Sequence, residues 1–379
     1  MIPFDFQPRT RILFGENCID RVGEIASEIG TRRALVVSDP GIVAAGHTQR
    51  GIDALQKAGI ETFLFSQVHE NPTTADVEEG TKLARRHEPE LIVGLGGGSS
   101  MDCAKGINFI YTNGGQMKDY WGVGKALKEM LPMIAIPTTA GTGSETQSFA
   151  LISDAKTHAK MACGDKKASF RVAILDPTIT LTQPPQITAL TGIDAIAHAV
   201  ESFVTKPRNS VSQFFSREAW NLLAVNFPKV LADSNDLDAR GAMQLGACFA
   251  GIAIENSMLG AAHSLANPLT ANFGITHGQA VGVMLPHVVK FNSVNDPKMY
   301  SDLFPGISGV DCVDSLASFI QKELTESGLK KDLRSLDVTH ESLPKLATEA
   351  ATQWTAQFNP RPIDHESLLG IYSDAMKMN

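Results

Sequence analysis

Apolar residues in the first half of the chain gather in short unbroken runs, at 11–14, 34–38, 62–65, 91–94, 133–136 and 173–175. These runs continue rather than alternate, which predicts strands buried on both faces. Between them, 19–29, 51–58 and 74–87 place apolar residues at helical spacing. Strands alternating with helices predict a parallel, doubly wound sheet. The pattern changes at 176–186, DPTITLTQPPQ, where three prolines and few apolar residues mark a linker. Beyond it the period is helical. Ile193, Ile196, Ala197, Val200, Phe203 and Val204 share one face, and Pro207 ends the run. Further helices are expected at 209–226, 238–266, 277–289 and 313–323. The reading is therefore an α/β domain over 1–180 and an all-helical domain over 181–379.

Length, charge and cysteines narrow the classes. A chain of 379 residues suits two domains. The formal net charge is −8 and no Lys/Arg run exceeds two, against a nucleic-acid binder. Cys18, Cys103, Cys163, Cys248 and Cys312 lie far apart with no CxxC pair, which suits reduced thiols in a cytoplasm. The first ten residues carry no apolar secretory segment. Residues 256–289 hold no Asp, Glu, Lys or Arg. Three His, three Asn and two Pro interrupt that stretch, so it predicts a buried segment around something that binds histidines rather than a membrane span.

Two glycine-rich stretches follow predicted strands: GLGGGSSMDCAKG at 94–106 and TTAGTGSE at 138–145. Glycines let backbone N–H groups approach a phosphate, and a helix N-terminus behind them adds partial positive charge. One such loop usually marks only a tight turn. Two, at the carboxyl ends of strands where open sheets bind ligands, point to a nucleotide. Asp39 closes the strand at 34–38. A carboxylate there suits ribose hydroxyls and repels a 2′-phosphate, although Asp39-Pro40-Gly41 also reads as a turn. The acid precedes the main glycine loop, so the common Rossmann order does not apply.

Asp194 and His198 sit at i and i+4 on the first helix after the linker. His263 lies in the uncharged stretch and His277 follows 14 residues later. One carboxylate and three imidazoles suit a first-row divalent cation with a position left open for catalysis. Each has an ordinary reading too. An Asp/His pair at that spacing is common by chance, and a histidine in an apolar segment is usually core. His287, within LPHVV, reads as structural.

GGGSSMDCAK (96–105), PTTAGTGSE (137–145), GIDAIAHAVESF (192–203) and GAAHSLANPLTANFGITHG (260–278) together resemble the iron-containing (group III) alcohol dehydrogenase family. The likeness runs over most of the chain, 11–292. It implies an α/β nicotinamide-binding domain, an all-helical metal-binding domain, a dehydroquinate-synthase-like architecture and an active site in the cleft between them. Matched by position, the ligands of Fe²⁺ (or Zn²⁺) fall on Asp194, His198, His263 and His277. The dinucleotide contacts fall on Asp39, Asn71, Gly97, Gly98, Ser99, Asp102, Thr138, Thr139, Thr142 and Lys160, with NAD expected before NADP. Phe149 matches a position near nicotinamide and substrate. The resemblance implies a metal-dependent alcohol dehydrogenase or aldehyde reductase acting on a small alcohol or aldehyde, as a homodimer or larger assembly. A hydroxyacid–oxoacid transhydrogenase of the same family is the nearest rival. A dehydroquinate-synthase-like lyase would need a basic pocket, which the uncharged stretch speaks against. The family commonly carries a second histidine four residues after the position of His263. Here that residue is Asn267, which hydrogen-bonds but does not titrate, so the proton route is expected to differ.

Overall fold

A computed structural model describes residues 2–157, 159–304 and 309–377. The chain forms two compact units, one from Gln7 to Gln183 and one from Pro184 onward joined by the first few residues. In the first unit the order is β1 (Arg11–Phe14), α1 (Val22–Ile29), β2 (Arg33–Val37), α2 (Pro40–Ala44), α3 (His47–Lys57), β3 (Glu61–Phe65), α4 (Thr74–His87), β4 (Leu91–Gly96) and α5 (Gly98–Asn113). Then come β5 (Gly122–Val123), β6 (Met133–Pro137), β7 (Phe149–Ser153), β8 (Lys160–Gly164) and β9 (Val172–Leu175). Six strands make one sheet in the order β1-β9-β6-β4-β2-β3, every pair parallel. All six expected strands form. β4 is buried along its whole length, as continuous apolar runs require when helices cover both faces. Val36, Val93, Ile134 and Ile174 pack on Ile19, Val22 and Ile25 on one face.

Two expectations for this unit need correction. The helix expected at 19–29 is a 3₁₀ turn, Cys18–Arg21, followed by α1. Backbone N–H groups of Asn17 and Ile19 donate to Asp176 across the sheet end, which holds that first turn apart. The second sheet was not anticipated. β7 and β8 pair antiparallel and β5 adds parallel to β8. Each is five residues or fewer, too short for its period to stand out.

The second unit contains α6 (Pro185–Val204), α7 (Ser210–Ala232), α8 (Leu237–Glu255), α9 (Ala261–Phe273), α10 (His277–Ser293), α11 (Val310–Glu326), α12 (Leu343–Ala351) and α13 (His365–Ala375), and no strand among its described residues. The helix expected at 238–266 is two helices, α8 and α9. The Asn256 carbonyl at the end of α8 accepts from Asn209 Nδ2 at 2.8 Å, and the chain restarts at Gly260. α6 is long and apolar enough to cross a membrane by length and composition, but 89% of that stretch is buried inside the protein. It is the central helix of the bundle.

Candidate functional site

Four side chains from three helices converge in the second unit. Asp194 and His198 lie one turn apart on α6, His263 is in the first turn of α9 and His277 opens α10. Gly274, at φ 66, ends α9 in the left-handed region and α10 starts three residues later, and the rings of His263 and His277 lie 5.3 Å apart between centroids. A Cβ on Gly278 would lie 2.1 Å from the Leu190 carbonyl oxygen. Only glycine lets α10 begin against α6, one turn before Asp194.

Asp194 Oδ1 is 3.6 Å from His198 Nε2, 3.5 Å from His263 Nε2 and 3.7 Å from His277 Nε2. These separations are too long for good hydrogen bonds, yet three imidazole nitrogens ring one carboxylate oxygen. Ligand atoms of Asp194, His263 and His277 all lie within 4.8 Å of one another. His198 stands beside that triple, its ring stacked on His263 at 4.9 Å between centroids. Among the described residues, Asp194 Oδ1 and His263 Nε2 are buried with no hydrogen-bond partner. Two orphaned buried ligand atoms aimed at one point fit a divalent cation, which would supply the partner both lack. Asp194, His198 and His263 are buried, while His277 is part-exposed and leaves one side open.

Charge reinforces the arrangement. Burial pushes the Asp194 carboxyl up, but the imidazoles of His198, His263 and His277 outweigh it and hold the group well below the carboxylate range. Burial favours neutral His263, and the carboxylates of Asp194 and Glu201 reverse this, raising it to about 9. Glu201 escaped the sequence reading. Its Oε2 lies 2.5 Å from His263 Nδ1 and its Oε1 accepts from Ala262 N at 2.7 Å. A carboxylate behind a ligating histidine fixes tautomer and ring orientation and raises ligand basicity. The available signal was its place in GIDAIAHAVESF, seven residues after Asp194 on the same helix.

The expected nucleotide residues gather at the carboxyl end of the first unit's sheet. Asp39 ends β2. Its Oδ1 caps α2 by accepting from Ile42 N at 3.1 Å, and its Oδ2 accepts from Ser100 Oγ at 3.2 Å. Gly97 is the N-cap of α5, with Gly98 and Ser99 in the first turn. Asn71, exposed and at φ 53, donates its N–H to Ser99 Oγ at 3.3 Å. Thr138 follows β6, and its buried Oγ1 has no partner among the described residues. A Cβ on Gly98 would meet Thr142 Cγ2 at 2.6 Å, and one on Gly97 would touch Thr139 at 3.5 Å, so the two loops close on each other. Lys160 opens β8 in register with Ser153, whose N–H donates to Pro72 O at 2.9 Å.

Three further expected residues are held by contacts within the protein. The Asp102 carboxylate turns inward and accepts from Ser144 Oγ at 2.6 Å and Leu151 N at 3.2 Å. Phe149 opens β7 with its ring over Gly164. Asn267, one turn after His263, donates Nδ2 to Gln353 Oε1 at 3.0 Å. Lys105, not singled out from sequence, is fully buried and donates to Ser144 O, Ser144 Oγ and Phe149 O, each at 2.8 Å.

Comparison with known proteins agrees with this geometry. Residues 8–177 match the family model described as iron-containing alcohol dehydrogenase. Residues 188–376 match the Fe-containing alcohol dehydrogenase family, C-terminal. The chain is 32% identical over 381 residues to a 1,3-propanediol dehydrogenase of Klebsiella pneumoniae, covering 98% of each chain. It is 30% identical over 371 residues to the NAD-dependent methanol dehydrogenase of Bacillus methanolicus, covering 96% of this chain and 97% of that one. A crystal structure of 1,3-propanediol oxidoreductase superposes with a TM-score of 0.95 at 31% identity, over 99% of this chain and 100% of the other. The chain belongs to the iron-containing alcohol dehydrogenase family.

Proposed function

We propose that this NAD(P)-dependent alcohol dehydrogenase interconverts a small primary or secondary alcohol and its aldehyde or ketone, with NAD preferred over NADP and a divalent cation, iron before zinc, held by Asp194, His198, His263 and His277. The observation that carries the reading is the pair of orphaned buried atoms, Asp194 Oδ1 and His263 Nε2, ringed by imidazoles. A cation bound there supplies Lewis acidity toward the substrate oxygen. Glu201 accepts the hydrogen bond of a protonated His263 Nδ1, the tautomer that presents a bare Nε2 to the site. The first turn of α5 offers unpaired N–H groups to a pyrophosphate, and Asp39 favours an unphosphorylated ribose. Asn267 cannot carry a proton in its side chain, and its amide is engaged by Gln353. The substrate proton therefore leaves by water or a ribose hydroxyl. A homodimer or larger assembly in the cytoplasm completes the proposal, and five free, buried cysteines agree with a reducing compartment.

The test is a chelated enzyme assayed with a panel of small alcohols and aldehydes. Turnover should vanish on chelation, return with Fe²⁺ or Zn²⁺, and require added NAD, while NAD binding by the chelated protein persists. Full activity after chelation would overturn the metal assignment, and turnover without added NAD would favour the transhydrogenase.

A further inference from the structure

We propose that Asn359, far along the chain from every metal ligand, is a positioning residue for the cation site, acting on His263 through the first turn of α9. The inference rests on the metal reading above. The N–H groups of a helix's first turn have no partner within the helix, and Gly260 at the N-cap offers no side chain to satisfy them. Two distant side chains do so instead. Asn359 Oδ1 accepts from Ala261 N at 3.1 Å and Glu201 Oε1 accepts from Ala262 N at 2.7 Å. A Cβ at Gly260 would lie 2.9 Å from Asn359 Oδ1 and 3.1 Å from Glu201 Oε1, so both oxygens occupy the space that glycine leaves. His263 is the next residue, and the other oxygen of Glu201 holds its ring. Asn359 and Glu201 thus grip the same turn from two sides, and His263 rides on it.

Asn359 is itself locked. It is 1% exposed. Its Nδ2 donates to Asn292 Oδ1 and to the Arg361 carbonyl, both at 2.7 Å, and Asn292 Nδ2 returns a bond to Asn359 Oδ1 at 3.3 Å. Asn292 lies on α10, the helix that His277 opens. The carboxamide therefore ties the start of α9 to the body of α10, and each of these helices carries a ligand. The same segment continues antiparallel along α9, with Thr355 Oγ1 2.8 Å from Ser264 Oγ and Gln353 Oε1 accepting from Asn267. The residue must be neutral as well as accepting. A carboxylate at 359 would face the Glu201 carboxylate across Gly260 and lose both donated bonds.

The experiment strips the full-length protein with a chelator and titrates Co²⁺ by calorimetry and by its visible absorption, comparing wild type with Asn359→Ala. Binding should weaken about tenfold to a hundredfold, the range typical for groups that orient a metal ligand, with a changed Co²⁺ spectrum and an unchanged NAD dissociation constant. Asn292→Ala unlocks the same carboxamide without touching α9. It should shift Co²⁺ affinity in the same direction by less, and it decides the question if Asn359→Ala does not fold. Wild-type affinity and spectrum in the folded variant would overturn the role of Asn359. Failure of the wild type to bind Co²⁺ would instead overturn the metal reading itself.

Discussion

At Asp39 the turn and ribose readings prove compatible. One oxygen caps α2 and the other accepts from Ser100, yet a carboxylate has about four acceptor sites, so capacity remains for a ribose. Replacing Asp39 by glycine removes the like-charge repulsion toward a 2′-phosphate, about 1–3 kcal/mol for a partly buried group. The NADP-to-NAD ratio of kcat/KM should rise about tenfold or more, while the lost cap costs only a few tenths of a kcal/mol because glycine also caps. An unchanged ratio would remove Asp39 from the ribose site. The convergence of Asp194, His198, His263 and His277 was legible because the first two are spaced one helical turn apart and the last two lie in one uncharged stretch. Glu201 and Asn359 were not. Their partners are 61 and 98 residues away, and no local period announces a contact made through space.

Among the elements, α5 couples the two nucleotide loops. Its first turn is one loop, and one turn later Asp102 and Lys105 reach the other. Lys105 Nζ bonds two oxygens of Ser144 and the Phe149 carbonyl, while Asp102 takes Ser144 Oγ and Leu151 N. Ser144 N in turn donates to Thr142 Oγ1, the side chain that rests on Gly98. The circuit closes from the start of α5, through its body, across the second loop and back. Lys105→Met would leave Asp102 buried without its counter-charge, 3.5 Å away in the native protein. That should cost about 3–5 kcal/mol and weaken NAD binding about tenfold, with Co²⁺ affinity unchanged. A lowered melting temperature with native NAD affinity would reduce Lys105 to a core residue. The parallel strands of this unit were legible because burial on both faces writes an unbroken apolar run. The β7–β8 hairpin was not, because each strand has only five residues, alternating in burial in β7 and continuous in β8. The α8–α9 break was missed because residues 256–260 carry no proline and only one glycine.

On the scale of the molecule, two groups in different units, buried Glu145 and part-buried His287, should tilt stability in opposite directions over one acidic pH window. Burial raises the Glu145 carboxyl to about 7, so the folded protein holds a proton that the unfolded chain, with an ordinary pKa near 4.5, has released. Its contribution is fully present below about 4.5 and is lost as pH rises through about 7, by up to about 3 kcal/mol for so buried a group. His287 works in the opposite direction. It lines a groove of about 740 Å³ between α10 and α13, and burial lowers its imidazole to about 4. The unfolded chain takes up a proton near 6.5 that the folded protein refuses until about 4, so stability falls as pH drops through that window. The effect is smaller than at Glu145 because His287 is only part-buried. Denaturant unfolding of the chelated protein from pH 4 to 9 separates the two contributions, since subtracting wild type from each variant cancels the metal ligands' own titration. Glu145→Gln should gain stability relative to wild type as pH rises from 4.5 to 7 and hold that gain above. His287→Gln should gain relative to wild type only as pH falls from 6.5 to 4. A difference that stays flat across pH for either variant would mean that its group titrates in the folded protein as it does in the unfolded chain.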